Sequence, residues 1–440
     1  MLHVATSLYN VGGHTRLLKN WIQLDDMAEH SVVLTNQHSA LVPEWIAPTV
    51  TESGGVLIHL NARSSLLERA RSLRRIAQSG YEAVILHHHP GDVLPSVAFA
   101  TADCPPVALM NHADHVFGLG PSVADIVLSV RGFGEEISNR RRFAKKSLLV
   151  PLPISAAEPP TTRAEARIRL HIPPDQIVLL TMGPPYKFTP TETHNFFSTT
   201  SKLLVQNPEA HLYAIGIHAN EVDLTAPHER LHLVGVIEDP TLYRLAADIH
   251  LDSFPYGSLT ALLEAAALGV CPVLMYSSPA PQYDLSEDPG FSGLLACAES
   301  EEDYVADVNK LIRHPQEREE LGKKIRQSVL LHHYKNWKSY LEPVYEYLAT
   351  NQHLPAPIPS AEFRQTKDDL ALWEFKSVLH GSTSLVKRMA DSRYNMFTLK
   401  DMIGLFRISL TTQDNSFSFS EERHWLLMIL SKLLRRESKN

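Results

Sequence analysis

Residues 248–274 combine a strand, an irregular loop and a helix in a way that makes an anion site. The run DIHLD ends at Asp252, the loop SFPYGS follows, and a helix begins near Leu259 and carries Glu264 in its early turns. The first N–H groups of a helix have no carbonyl partner within it, and the helix dipole puts positive charge at that end. Ser258, Leu259 and Thr260 therefore offer a phosphate site. One turn further on, Glu264 can accept hydrogen bonds from the vicinal hydroxyls of a ribose, the division of labour used by dinucleotide-binding folds. Lys187 follows the apolar run IVLLTM. A cation there would stabilise the negative charge that gathers on a departing diphosphate, an assistance that could replace a metal ion.

Nearer the N-terminus, Tyr9-Asn-Val-Gly-Gly-His-Thr-Arg16 joins the first strand to the first helix. Gly12 and Gly13 would let backbone N–H groups approach a diphosphate or sugar closely, although a tight turn alone would also place two glycines there. His14 in the same loop is the best candidate for a base that takes the proton of an attacking hydroxyl. A helix-capping histidine is the competing reading. The segment MNHADHVFGLG follows the strand PPVALM and sets Asn111, His112, Asp114 and His115 at a strand's C-terminal edge. At such an edge, where ligands gather, contact with sugar or phosphate is favoured, His112 ahead of His115; the His-x-x-His spacing also suggests zinc, but two nitrogens without a third ligand make that case weak. His87, His88 and His89 end another strand, and alternation forbids all three from facing one pocket, so they read as polar loop residues.

The elements that must hold these groups alternate regularly. Short β-branched runs (LHVAT, SVVLT, AVILH, PVALM, DIVLS) are separated by helical patterns, including one over 63–79, which is the rhythm of a parallel sheet covered on both faces. After the proline-rich AAEPPTT the pattern starts again with IVLLTM, a helix from about Pro190, AHLYAIG, RLHLVG, a short helix over 240–247, DIHLD, the helix from Leu259 and CPVLM. Length agrees, since 440 residues exceed one domain of roughly 100–200. The predicted division is 1–155 for an N-terminal Rossmann-like domain and 156–350 for a C-terminal Rossmann-like domain with closing helices. A linker and helical tail follow over 351–440, with residues 360–440 as a candidate partner or oligomer contact.

Three stretches, TMGPPYKFTP (181–190), HLVGVIEDPTLYRLAADI (232–249) and the Asp252–Glu264 segment, resemble the donor-binding half of GT-B glycosyltransferases. Asp-x-Phe-Pro-Tyr followed by a threonine and an acid four residues later is similar to the O-GlcNAc transferase group, as is Tyr-Lys-x-x-Pro at 186–190. The resemblance implies two Rossmann-like domains facing across a cleft, Lys187 and Thr260 on a nucleoside diphosphate, and Glu264 on its ribose. Gly257, Ser258, Leu259, Thr260 and Ala261 stand where that group has Asn-Gly-His-Thr-Thr. Tyr256 replaces the first of the two glutamates of many retaining enzymes. Several inverting members carry a histidine in the first strand–helix loop, so Tyr256 and His14 together favour inversion.

Charge and composition narrow the partners. The net charge of −8, from 41 basic and 49 acidic side chains, offers no general field for a phosphate backbone. Arg140, Arg141, Arg142, Lys145 and Lys146 form a basic cluster that reads as a solvated helix end. Three dispersed cysteines and an N-terminus that reads as a strand lead to the expectation of a cytoplasmic protein. The amphipathic HWLLMILSKLLRR leaves peripheral membrane contact open. No metal or cofactor is expected; the donor would be a nucleoside diphosphate sugar, with UDP the favoured nucleotide, and the acceptor a glycan, protein or lipid-linked group. A catalytically silent acceptor-recognition scaffold and a nucleotide-sugar epimerase are the alternative readings.

Overall fold

A computed structural model describes residues 1–355 apart from 38–41, 115–117, 143, 156–158, 192, 223–227 and 276–283. His115 and the tail segment predicted to bind partners or membranes lie outside the described residues. The first half runs β1 (Leu2–Ala5), α1 (Gly13–Leu24), β2 (Ser31–Leu34), α2 (Ile46–Glu52), β3 (Leu57–His59), α3 (Leu66–Ala77), β4 (Val84–Leu86), α4 (Leu94–Ala98), β5 (Val107–Asn111), β6 (Ile126–Ser129), α5 (Gly132–Arg141) and β7 (Ser147–Leu149). Its seven strands pair in parallel in the order β3-β2-β1-β4-β5-β6-β7. β1, β2, β4, β5 and β6 are buried at every position, as strands covered on both faces must be.

The second half repeats the plan with α6 (Arg163–Arg169), β8 (Ile177–Met182), α7 (Phe196–Gln206), β9 (Ala210–Ile215), β10 (Leu231–Gly235), α8 (Thr241–Ala246), β11 (Ile249–Leu251), α9 (Leu259–Ala267), β12 (Cys271–Met275), β13 (Cys297–Ala298), α10 (Glu301–Arg313), α11 (Pro315–Leu330) and α12 (Trp337–Thr350). The sheet order is β10-β9-β8-β11-β12-β13. α7 begins at Phe196 and not near Pro190, because the Asn195 side chain accepts from the Ser198 N–H and fixes the start there. Residues 185–188 form a separate 3₁₀ turn that carries Lys187.

Both sheets reverse strand order once, between β1 and β4 in the first and between β8 and β11 in the second. Ligands of such sheets bind at the carboxyl ends of the strands flanking that reversal, where helices leave in opposite directions and open a crevice. Gly12 and His87 lie at the first reversal, and Gly13 and His14, expected in the loop, form the first turn of α1. Lys187 and the loop before α9 lie at the second.

The two domains share a core. One apolar cluster joins Trp21, Ile85 and Met110 of the first sheet's layer to Leu262, Leu274 and Phe291 of the second, with Ile325, Trp337 and Leu341 of the closing helices. α12 docks on the first domain: the Trp337 indole N–H donates to the Pro151 carbonyl at 2.7 Å, and the Tyr345 hydroxyl donates to Asp25. Helical spacing in 301–349 shows that these helices are buried on one side, but not against which domain.

Buried histidines make the fold acid-sensitive. His250, on β11, is fully buried with neither ring nitrogen hydrogen-bonded, and burial followed by the field of Arg244 pushes it from 6.5 to about 3. The folded value lies below the unfolded one, so its contribution is complete above pH 6.5 and is lost as pH falls. At about 1.36 kcal/mol per pH unit, the loss by roughly pH 5 is about 2 kcal/mol. Urea unfolding at neutral pH and near pH 5 should show this loss in the wild type and a clearly smaller one in His250→Leu; equal losses would contradict it.

Candidate active site between the two sheets

The second domain's wall is built on Asp252. Its carboxylate accepts from the Ser258 N–H at 2.8 Å and holds the loop against the start of α9. Full burial pushes this carboxyl up to about 6, against the Ser258 N–H bond and the field of Lys187, which both pull it down. The Ser258 hydroxyl is 2.8 Å from that of Ser253 and does not cap the helix. The first N–H groups of α9 therefore have no side-chain cap from Ser258 and remain available to an anion. Lys187 closes the same corner, its ammonium donating to the Gly257 carbonyl at 2.6 Å. Burial lowers its pKa, which Asp252 partly offsets.

The first domain's loop meets this helix end directly. Gly12 has φ +142°, a conformation that favours glycine, and starts α1 at Gly13. A Cβ at Gly13 would sit 2.4 Å from the Thr260 hydroxyl oxygen, so only glycine allows this approach across the cleft. One turn on, the Arg16 guanidinium donates to Glu264 at 2.5 Å, and Arg244 from α8 donates to the same carboxylate. Glu264 is thus gripped by a cation from each domain.

His14 stands beside that contact. Its Nε2–H donates to the His87 carbonyl, which leaves the lone pair on Nδ1. The rings of His112 and His89 lie 4.6 and 5.3 Å from its ring, centre to centre. Burial, then the neighbouring imidazoles led by His14, holds His112 well below 6.5. Asp114 is paired with Arg131 at 2.8 Å, and Arg131 also donates to the Asp284 carbonyl of the second domain. Among the described residues no group of three or more His, Cys, Asp or Glu side chains is arranged to hold a metal.

Lys187, Ser258, Leu259, Thr260 and Glu264 therefore cluster on or against one helix end, Gly13 approaches it at Thr260 with Gly12 and His14 on either side in the chain, and His112 packs on His14. Sequence reading did not single out Arg16 and Arg244, since arginines in amphipathic helices read as surface charge. Arg142, assigned to a solvated helix end, instead donates to the Asn111 side chain at 2.8 Å. His87 and His88 lie in the loop that follows β4, as expected, but are buried there.

The overall fold is similar to that of several solved structures. An O-GlcNAc transferase variant from Thermobaculum terrenum is 17% identical, over 79% of this chain and 68% of that one, with a TM-score of 0.53. The sucrose-phosphate synthase of Thermosynechococcus elongatus is 17% identical, over 79% and 98%, with a TM-score of 0.57. Anabaena HepE, solved with UDP and glucose, is 13% identical, over 80% and 99%, with a TM-score of 0.58. This chain has the GT-B fold. No protein-family profile and no curated protein matches the sequence. The expected α/β class, with two Rossmann-like domains facing across a cleft, agrees with the GT-B structure. Among the described residues no helix is long and apolar enough to cross a membrane.

Proposed function

We propose that this GT-B chain is a glycosyltransferase that moves a sugar from a nucleoside diphosphate, UDP in the favoured case, to a hydroxyl or amide acceptor held by the first domain. The observation that carries the reading is the meeting of the two sheet reversals: the α9 N-terminus with Lys187 on one wall, and the Gly12–His14 segment on the other. The α9 amides and Lys187 would hold the diphosphate and stabilise its departure without a metal. Glu264 would exchange Arg16 for the ribose hydroxyls while keeping Arg244. The freed Arg16 would add a cation one turn from Gly12 and Gly13. His14, its lone pair on Nδ1, would take the acceptor proton, with inversion as the favoured outcome. The UDP and glucose of the HepE structure support a nucleotide-sugar donor.

Calorimetry with UDP on the full chain tests the donor site. A charge-assisted hydrogen bond contributes about 1.5–3 kcal/mol, so Lys187→Ala and Glu264→Ala should each weaken UDP roughly 10- to 150-fold. A wild-type chain that fails to bind UDP at millimolar concentration would favour the catalytically silent scaffold. Binding unaffected by both substitutions would move the donor elsewhere. Conversion of a nucleotide-sugar with no acceptor present would favour the epimerase.

A further inference from the structure

Behind the cleft, four buried side chains form an unbroken line of hydrogen bonds that the transfer reaction as described does not use. His87 Nε2 lies 2.9 Å from His3 Nδ1, and His3 Nε2 lies 2.8 Å from His30 Nδ1. His30 Nε2 lies 3.1 Å from the Asp25 carbonyl and 3.3 Å from its carboxylate. His3, His30 and His87 have no exposed surface, and Asp25 has 3%. Trp21 packs edge-on against His3 and His87 and excludes water from one side.

Asp25 fixes the direction of every proton in this line. Both of its oxygens facing His30 are acceptors, so His30 carries its proton on Nε2 and its Nδ1 must accept. His3 then donates from Nε2 and accepts at Nδ1, and His87 donates from Nε2. The last atom, His87 Nδ1, is a bare lone pair, buried and without a hydrogen-bond partner. A buried acceptor left unpaired is costly, and its persistence calls for a role. His87 is the member of the line next to the cleft, where His14 donates to its backbone carbonyl.

We infer that His87, His3 and His30 form a proton relay that accepts a proton from the cleft at His87 Nδ1 and holds the charge at His30, against Asp25. One proton bonds to His87 Nδ1; the Nε2 proton of His87 passes to His3 Nδ1; the Nε2 proton of His3 passes to His30 Nδ1. His30 keeps its own Nε2–H and becomes an imidazolium beside the carboxylate. Each step breaks one N–H bond and makes one, and a single positive charge moves from the cleft to the far side of the sheet. The inference rests on the transferase reading only for the source of the proton: the acceptor hydroxyl's proton bonds to His14 Nδ1, and the Nε2 proton of His14, turned from the His87 carbonyl, passes to His87 Nδ1. The surrounding charges are the Met1 ammonium near His3, with Glu29 and Glu82 beside that ammonium, His14 and His88 near His87, and the Tyr345 hydroxyl donating to Asp25.

Nitrogen NMR of the full chain labelled at histidine tests the relay without any substrate. At neutral pH all three residues should be neutral Nε2–H tautomers, and uptake of one proton should switch His87 and His3 to Nδ1–H together, with both nitrogens of His30 protonated. Asp25→Asn should abolish that concerted switch. An Nδ1–H tautomer at any of the three at neutral pH, or protonation of each ring independently, would overturn the relay. In turnover, His3→Gln should lower kcat at least about tenfold with the donor KM unchanged. An unchanged kcat would reduce the line to core packing. If His3→Gln fails to fold, the wild-type tautomers still decide. If the wild type binds no UDP, the transferase reading fails while the tautomer result stands by itself.

Discussion

Replacing His14 by alanine is expected to lower kcat by roughly 100- to 10,000-fold, the usual contribution of a positioned general base. UDP affinity should stay within about threefold, since the His14 side chain itself is assigned to the acceptor proton and not to the diphosphate or ribose. The expectation comes from geometry first: the His87 carbonyl takes the Nε2 proton, so the imidazole is held with Nδ1 as its basic atom. The rings of His112 and His89 pack against it and hold its orientation. A neutral His14 is the form that can accept a proton. NMR of the product's anomeric centre completes the measurement. A kcat within about tenfold of wild type, or a retained configuration, would remove His14 from this role.

How far the site was legible depended on whether its chemistry was contiguous in the chain. Asp252, Ser258, Leu259, Thr260 and Glu264 fall within one strand–loop–helix unit, whose register is fixed by local pattern, so their clustering could be read directly. Lys187 was legible because it follows an apolar strand, and strand ends in such sheets are where ligands gather. The grip on Glu264 was not, because Arg16 and Arg244 come from two other helices and nothing in an amphipathic pattern says which cation meets which carboxylate. His87 shows a different limit. The run AVILH already continues a fully buried strand, which could have argued that His87 is buried too, but its partners His3 and His30 are distant in sequence and become neighbours only through the order β2-β1-β4. α12 follows the same rule: its spacing predicts a buried face, and tertiary packing alone decides that Trp21 and Pro151 of the first domain receive it.

That packing has a measurable consequence for the site. Trp337 is fully buried at the start of α12, edge-on to Trp21 at 5.3 Å, with its indole N–H on the Pro151 carbonyl. Trp337→Ala is expected to destabilise the chain by about 3–5 kcal/mol through the cavity it leaves. That is a large share of a total stability of about 5–15 kcal/mol. Trp337→Phe keeps most of the volume and loses mainly the hydrogen bond, so it should cost only about 1–3 kcal/mol. Urea unfolding followed by circular dichroism separates the two. Because the cluster containing Trp337 joins residues of both sheets, the wild type should melt in one transition, and the alanine variant should also weaken UDP by loosening the approach of Gly13 to Thr260. An alanine variant with the wild-type midpoint would mean that α12 does not clamp the domains together.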